Sequence, residues 1–262
     1  MIERLFHCSV ILLMFSNGTT FAQISGISNS KVVVPGAETV GVGVFEFEPA
    51  FESFSSSSVW NSDGKLKASD STTVESSHGF RFTTGVKENL EVGMILPSDV
   101  SSLNFGLKWL FWSRNDLSVA LQSGLNFDVA IGTFQKDEGR GKVFGNGLVL
   151  TYVPEGNYSV DSDISISFYS KEIDGQSVGH SGTFDIGASY RFKKNFHGVV
   201  EYNFNWITFE NKKSDSEKGN GLVGFTFYAS QSAKVIMGLK YDIHGANNLK
   251  GVTYIAAFTF II

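Results

Sequence analysis

The sequence predicts an all-β fold, an antiparallel up-and-down transmembrane β-barrel of about twelve strands. Three observations predict it. Apolar and polar residues alternate in successive segments from residue 39 to residue 262, most segments have ten or more residues, and the connections alternate between short and long. Alternation indicates strands with two different faces. Strands of this length match a tilted membrane crossing, which takes about 9–11 residues.

The beginning of the chain resembles a secretory signal. An apolar run from Leu5 to Phe15 follows Arg4, and a small-residue stop ends at Ala22. This run is too short for a membrane-spanning helix, which needs roughly 20 residues, although an N-terminal membrane anchor is the alternative. Cys8, the only cysteine, lies inside the run, so disulfides and thiolate sites are excluded from the mature chain.

The predicted organisation is therefore a signal peptide over 1–22, a short N-terminal segment over 23–38 and one barrel over 39–262. The short segment is too small for a separate plug domain. Reading the alternation along the barrel gives the following strands: 39–51, 71–86, 90–96, 100–112, 117–131, 142–153, 158–170, 179–192, 196–209, 219–229, 234–244 and 251–262. The clearest has Leu103, Phe105 and Leu107 on one face and Asn104 and Lys108 on the other.

The connections predict how the barrel is oriented. Tight turns are expected at 87–89, 113–116, 154–157, 193–195 and 230–233, and longer loops at 52–70, 132–141, 171–178, 210–218 and 245–250, with 97–102 a brief exception. Outer-membrane barrels have short periplasmic turns, longer external loops and an even number of strands. A soluble β-sandwich or jelly roll is the alternative, since it also shows alternation.

The last predicted strand carries alternating large side chains that end at Phe258, Phe260 and Ile262. It resembles the C-terminal signal read by the outer-membrane barrel assembly machinery, although that signal usually ends in Phe. The expected partners are therefore this machinery, outer-membrane lipid and a small-molecule solute. A net charge of −5 argues against a nucleic-acid partner.

Charged residues on the face opposite the apolar one are expected to line the lumen. They are Glu75, Arg81, Glu91, Lys108, Asp128, Asp161, Asp163, Asp185, Arg191, Glu201, Lys240 and Asp242. Two interpretations remain open: a salt-bridged network that fills a narrow lumen, or a polar pore with a mild cation preference. The first strand is ambiguous, because turning Glu46 and Glu48 inward also turns Val40, Val42 and Val44 inward.

The sequence gives no sign of an enzyme or a cofactor. Barrel lipases place a His and a Ser two residues apart, whereas His180 and Ser181 are adjacent and point to opposite faces of a strand. We find no metal-ligand spacing, phosphate loop or dinucleotide fingerprint. Trp109, Trp112 and Trp206 suit aromatic girdles at the membrane interfaces, while Trp60 falls in the first predicted loop.

Three stretches near the start of the mature chain, Pro35–Glu38, Gly41–Phe51 and Trp60–Lys65, resemble the first part of a known family. These are the outer-membrane transporters associated with the meta-pathway of phenol degradation. The resemblance implies a channel for small solutes, including hydrophobic or aromatic compounds, and supplies no site residue. Our hypothesis is a passive outer-membrane channel in which loops 52–70 and 132–141 control entry. The alternative is a non-conducting barrel that acts through its external loops.

Overall fold

The computed structural model describes residues 26–28, 31–128, 142–170 and 178–262. The predicted signal peptide and the predicted loop 132–141 lie outside these residues. No helix in the described part of the chain is long and apolar enough to cross a membrane.

Twelve strands in the described residues form one closed barrel. They are β1 (Phe45–Trp60), β2 (Leu66–Lys87), β3 (Leu90–Pro97), β4 (Ser102–Arg114), β5 (Leu117–Asp128), β6 (Lys142–Tyr152), β7 (Tyr158–Tyr169), β8 (Val178–Lys193), β9 (Phe196–Phe209), β10 (Ser216–Ser230), β11 (Ala233–Ala246) and β12 (Asn248–Ile261). Each strand pairs antiparallel with its sequence neighbours, and β1 pairs with β12 to close the sheet. The predicted fold class is confirmed.

The two faces of the wall differ as the alternation predicts. In β4, Phe105 and Leu107 are exposed on the outside, whereas Asn104 and Lys108 are buried on the inside. The other strands repeat this arrangement, so that exposed apolar side chains surround the barrel. Such a surface is stable only against lipid, and a closed barrel leaves no backbone edge unpaired there.

The predicted loop at 52–70 is wrong. β1 continues to Trp60 and β2 begins at Leu66, so only the turn 61–65 joins them. The serine-rich end of β1 lacked apolar alternation, but its backbone pairs with β2 on one side and β12 on the other. At 22 residues β2 is about twice the length that a membrane crossing needs, and its polar half extends beyond the apolar band.

The predicted loop at 245–250 is also shorter than expected. β11 runs to Ala246 and β12 starts at Asn248, which leaves Asn247 alone at the bend with a φ of 49°. Asparagine tolerates this left-handed conformation better than most residues, which explains how a single residue makes the turn. The opposite end of the barrel has the expected tight turns, and there the start of β1 meets the end of the chain: Phe45 and Ile262 exchange backbone hydrogen bonds of 3.0 and 2.8 Å.

The ambiguity in the first strand disappears because β1 begins only at Phe45. Glu46 and Glu48 point inward, toward Arg81. Val40 and Val42 precede the strand, so the inward-facing register of β1 places no constraint on them.

Candidate functional site in the lumen

The described residues 26–28 and 31–41, here called the lumen segment, cross the inside of the barrel. Their backbone groups bind side chains from five strands, β2, β3, β4, β6 and β9, while the side chain of Lys31 reaches β7. We expected no plug because the segment is too short for a separate domain. A segment too short for a separate domain nevertheless crosses the lumen, where side chains from around the wall bind it.

Glu91 and Lys108 hold one part of the lumen segment. Both are fully buried, with their charged atoms 3.2 Å apart. The Glu91 carboxylate accepts hydrogen bonds from the backbone N–H groups of Ser28 (2.7 Å) and Val40 (2.8 Å). Lys108 donates to the carbonyl of Gly36 at 2.8 Å. This ion pair thus satisfies backbone groups that would otherwise be buried without partners.

Glu201 holds the next part from the opposite wall. Its carboxylate accepts the backbone N–H of Val32 at 2.7 Å and that of Val33 at 3.1 Å. Farther along, the N–H of Ala37 donates to the Thr151 hydroxyl at 2.8 Å. Hydrogen bonds to a buried carboxylate are about twice as strong as those between neutral groups, so Glu201 fixes the segment firmly.

Val32 fills an apolar patch on the inner wall. It packs with buried side chains from β9 to β12, namely Val199, Leu222, Ile236, Ile255 and Ala257. The absence of a side chain at Gly238 makes room for it, since a Cβ there would lie 3.1 Å from a Val32 methyl group. The lumen segment is therefore held by apolar contact on one side and by charged groups on the others.

Arg81 is the centre of a further network next to the start of the lumen segment. Its guanidinium lies 2.8 Å from Glu48 and 3.6 Å from Glu46, and it also donates to the carbonyl of Ile27. Glu48 accepts a second hydrogen bond from the Thr259 hydroxyl of β12. These contacts join β1, β2 and β12 where the sheet closes.

A second layer of polar side chains also points into the lumen. Along each strand it lies one inward-facing residue farther from the tight turns than the residues that hold the lumen segment. Asp163 and Asp185 are each 2% exposed and stand directly opposite each other on β7 and β8. The Gln122 side chain donates to Asp163 at 3.3 Å. On β10 and β11, Lys218 pairs with Asp242 at 3.5 Å.

The predicted lumen residues divide into four groups by position. Arg81, Glu91, Lys108, Asp161 and Glu201 contact the lumen segment. Asp163, Asp185 and Asp242 are buried in the second layer, and Glu75 and Lys240 are half-buried. Arg191 differs: it is exposed and donates to Asn157 at the β6–β7 turn, at 2.9 Å. It therefore lies at the barrel end, because β8 continues past the lumen there. The side chain of Asp128 lies outside the described residues.

Sequence reasoning missed Lys31, whose ammonium contacts the Asp161 carboxylate with both side chains almost fully buried. It also missed Lys218, which falls in the predicted loop 210–218. The direction of Glu48 was left open, and Gln122 was on the predicted polar face but was not among the candidates because it carries no charge. For Lys31 a signal existed, because one lysine directly before three valines is unusual in a segment exposed to water. A cation there needs either solvent or a buried acidic partner.

The residues considered for a barrel lipase have other partners. The Ser181 hydroxyl shares a hydrogen bond of 2.7 Å with Tyr169, and the His180 ring contacts Thr208 instead of a serine. Within the described residues, no group of three or more His, Cys, Asp or Glu side chains is arranged to hold a metal ion.

The fold agrees with solved structures of outer-membrane channels. The COG4313 outer membrane channel from Pseudomonas putida F1 matches with a TM-score of 0.70 at 12% identity, covering 90% of this chain and 100% of its own. The NanC porin matches with a TM-score of 0.55 at 8% identity, covering 81% and 98%. The KdgM porin in complex with disordered oligogalacturonate matches with a TM-score of 0.51 at 10% identity, covering 82% and 98%.

No protein-family model and no curated protein matches the chain. At the identities found for the solved structures, the likeness establishes a shared fold, and the resemblance to transporters of phenol degradation stays a prediction. The described part of the chain forms a closed, twelve-stranded β-barrel of the outer-membrane type.

Proposed function

We propose that this protein is a passive channel of the bacterial outer membrane whose lumen is narrowed by its own lumen segment. The observation that carries the proposal is how this segment is held. Side chains of the wall bind it, and it belongs to none of the twelve strands that form the described barrel. Because the segment is not a strand of the sheet, it can move without opening the barrel wall.

The inner wall supports passage of small solutes of mixed polarity. Polar and charged side chains cover most of it, while the patch that receives Val32 is apolar. Displacement of the lumen segment uncovers this patch, which then offers an apolar surface inside a polar passage. Hydrophobic or aromatic solutes, as the family resemblance implies, suit that surface, and their passage is part of the proposal.

Conductance tests the proposal directly. The refolded mature chain and a variant lacking residues 26–40 are compared in planar bilayers, with heat-modifiable migration on a gel as the check that each barrel has formed. We expect small conductance steps for the full chain and clearly larger ones for the deletion. Lys87→Ala, a change at the exposed end of β2, serves as the control and leaves the steps unchanged. Equal conductance of the full chain and the deletion contradicts a constriction by this segment.

The class of solute is tested by the swelling of liposomes that contain either the full chain or the variant lacking residues 26–40. Swelling in phenol-sized aromatic solutes that exceeds swelling in sugars of similar mass supports the apolar patch as part of the path. Faster swelling in the sugars contradicts the aromatic part of the proposal and leaves the channel itself in place.

A non-conducting barrel is the second candidate, and the buried ion pairs around the lumen segment favour it. Glu91, Lys108, Lys31 and Asp161 are all at most 2% exposed, as in a lumen that stays filled. Heat-modifiable barrels without conductance, for both the full chain and the deletion, are the result expected for this candidate. Its function then moves to the external surface.

The assembly machinery is the partner proposed for the end of the chain. β12 carries Tyr254, Phe258 and Phe260 on its exposed face, which is the arrangement that the resemblance to the C-terminal signal implies. Replacing Phe258 and Phe260 by Ser is expected to reduce the amount of folded barrel in cells while refolding of the purified chain in detergent continues.

A further inference from the structure

One row of inward side chains in the second polar layer has more acceptors than donors. Reading across β7 to β11, the row pairs Asp163 with Asp185, Asp185 with Asn203, Asn203 with Asn220 and Asn220 with Asp242. Directly opposed residues have Cβ atoms about 4.5–5.5 Å apart. All five are at most 4% exposed, so they form one continuous buried surface.

The negative charge in this row is only partly compensated. Asp242 has Lys218 at 3.5 Å and accepts the backbone N–H of Gly251 at 2.9 Å. Asp163 and Asp185, in contrast, have no lysine or arginine within ion-pair distance among the described residues. Two ionised carboxylates opposite each other repel, and burying both without a cation or a shared proton is costly.

Neighbouring amides leave further buried atoms unpaired. In the described chain, the side-chain atoms without a hydrogen-bond partner include Oδ1 of both Asp163 and Asp185, the amide oxygens of Gln122 and Asn220, and both amide atoms of Asn203. These three amide residues are each at least nine-tenths buried. The Gln122 amide touches Asp163 through its nitrogen, at 3.3 Å, so its free oxygen lies at the edge of the carboxylate pair.

We propose that Asp163 and Asp185, with the amide oxygens of Gln122 and Asn203, bind a small monovalent cation in the lumen. An ammonium group fits because it offers three hydrogen-bond donors and no acceptor. A partly hydrated alkali ion presents the same chemistry, since oxygen atoms are its preferred ligands. A divalent metal is disfavoured, because the described residues gather no group of three acidic or histidine ligands.

The position of the site gives it a place in the passage. Asp163 lies two residues beyond Asp161, and Asn203 lies two beyond Glu201, so the site is one inward position beyond two residues that hold the lumen segment. A cation that enters from the end of the barrel opposite the tight turns meets this site before it meets the lumen segment. Binding does not depend on conduction, so the site can exist in an open or a closed barrel.

Thermal unfolding in detergent tests the site on the refolded mature chain. The temperature at which the heat-modifiable form is lost is measured at equal ionic strength in ethylammonium chloride, in sodium chloride and in tetrapropylammonium chloride, whose cation is too large. Ethylammonium is expected to raise this temperature above the value in tetrapropylammonium. An equal rise in sodium identifies an alkali-ion site, and no rise in sodium identifies an amine site.

Variants locate the effect. Asp163→Asn with Asp185→Asn is expected to weaken ethylammonium binding by at least about tenfold, as removal of a buried charge partner does. The matched control, Glu88→Gln with Asp116→Asn, removes the same charge from exposed turns and keeps the response. The proposal is overturned if ethylammonium and sodium both act like tetrapropylammonium, if the double Asp variant still responds, or if micromolar calcium saturates the site.

If the double variant does not fold, the wild-type barrel still decides the question. Crystals grown in rubidium chloride are expected to show an anomalous peak in contact with both Asp163 and Asp185 if the site takes an alkali ion, and crystals grown in ethylammonium chloride are expected to show the ammonium group there if it takes an amine. Only water at this position in both crystals contradicts the site.

Discussion

The Lys31 ammonium contacts the Asp161 carboxylate inside the barrel, although the two residues are 130 positions apart in sequence. Asp161 belongs to the wall and Lys31 to the lumen segment. The same carboxylate accepts a hydrogen bond from Thr151 on the neighbouring strand. The pair therefore links the position of the segment to the wall through a charge that cannot be buried alone.

Lys31→Ala is predicted to loosen the lumen segment. Removing one partner of a buried pair leaves an uncompensated charge, at a cost of about 3–5 kcal/mol. We expect the segment to leave its position more often, which increases the open probability in planar bilayers. Lys31→Ala combined with Asp161→Asn removes both charges and should recover part of the closed state. The control is Lys193→Ala at an exposed turn, and an unchanged open probability for Lys31→Ala contradicts the link.

Gly238→Leu is predicted to expel Val32 from its apolar patch. A Cβ at this position meets only side chains, Val32 at 3.1 Å and Leu222 at 3.4 Å, so the barrel backbone remains undisturbed. The readout is labelling of a cysteine at Val34, a position of 0% exposure, by a polar maleimide. We expect protection in the parent barrel and labelling in the Gly238→Leu background. Gly221→Leu, which places the same side chain against Ile243, is the control, and protection in both backgrounds argues against displacement.

The strand pattern could be predicted because alternation depends only on which side of the wall each residue faces. The serine-rich part of β1 could not, since Ser55–Ser58 are polar on both faces and show no alternation. There, strand formation depends on pairing with β2 and β12, which local sequence does not reveal. For this reason the prediction of a loop at 52–70 was wrong.

The candidate site could be predicted only in part, for a different physical reason. Alternation indicates that Glu91, Lys108 and Glu201 face inward, but it does not reveal what they bind. Their partners are mostly backbone groups of the lumen segment, and any sequence supplies such groups. Lys31 was missed because its partner, Asp161, is brought near only by closure of the barrel.

The stability of the β3–β4 turn is predicted to depend on the negative charge of Asp99. The N–H and hydroxyl of Ser101 donate to this carboxylate at 3.0 and 2.8 Å, which lowers the pKa of Asp99 below its ordinary value. Because the pKa of Asp99 is lower in the folded state than in the unfolded state, the ionised carboxylate stabilises the turn at pH values above the unfolded-state pKa of about 3.9. This stabilisation is lost as the pH falls through the folded-state pKa. Because Asp99 is exposed, we expect its charge to contribute about 1 kcal/mol or less to the free energy of unfolding.

Thermal unfolding from pH 6 to pH 2 measures this contribution. Asp99→Asn should be slightly less stable than the parent barrel near neutral pH, and the difference should vanish at the acid end. A difference of constant size across the range means that the carboxylate charge does not support the turn.

Phe105→Asp and Leu107→Asp are predicted to block assembly of the barrel. Both side chains are exposed, at 41% and 39%, on the apolar outer face of β4. A charged residue near the middle of the membrane costs roughly 2–4 kcal/mol for Arg or Lys and somewhat less for Asp. After refolding into lipid vesicles, the fraction of protein that migrates in the heat-modifiable form should fall for both variants. Ser71→Asp, in the polar half of β2 beyond the apolar band, adds the same charge and should assemble normally. Normal assembly of both β4 variants contradicts the assignment of this face to lipid, because a charge facing water carries no such cost.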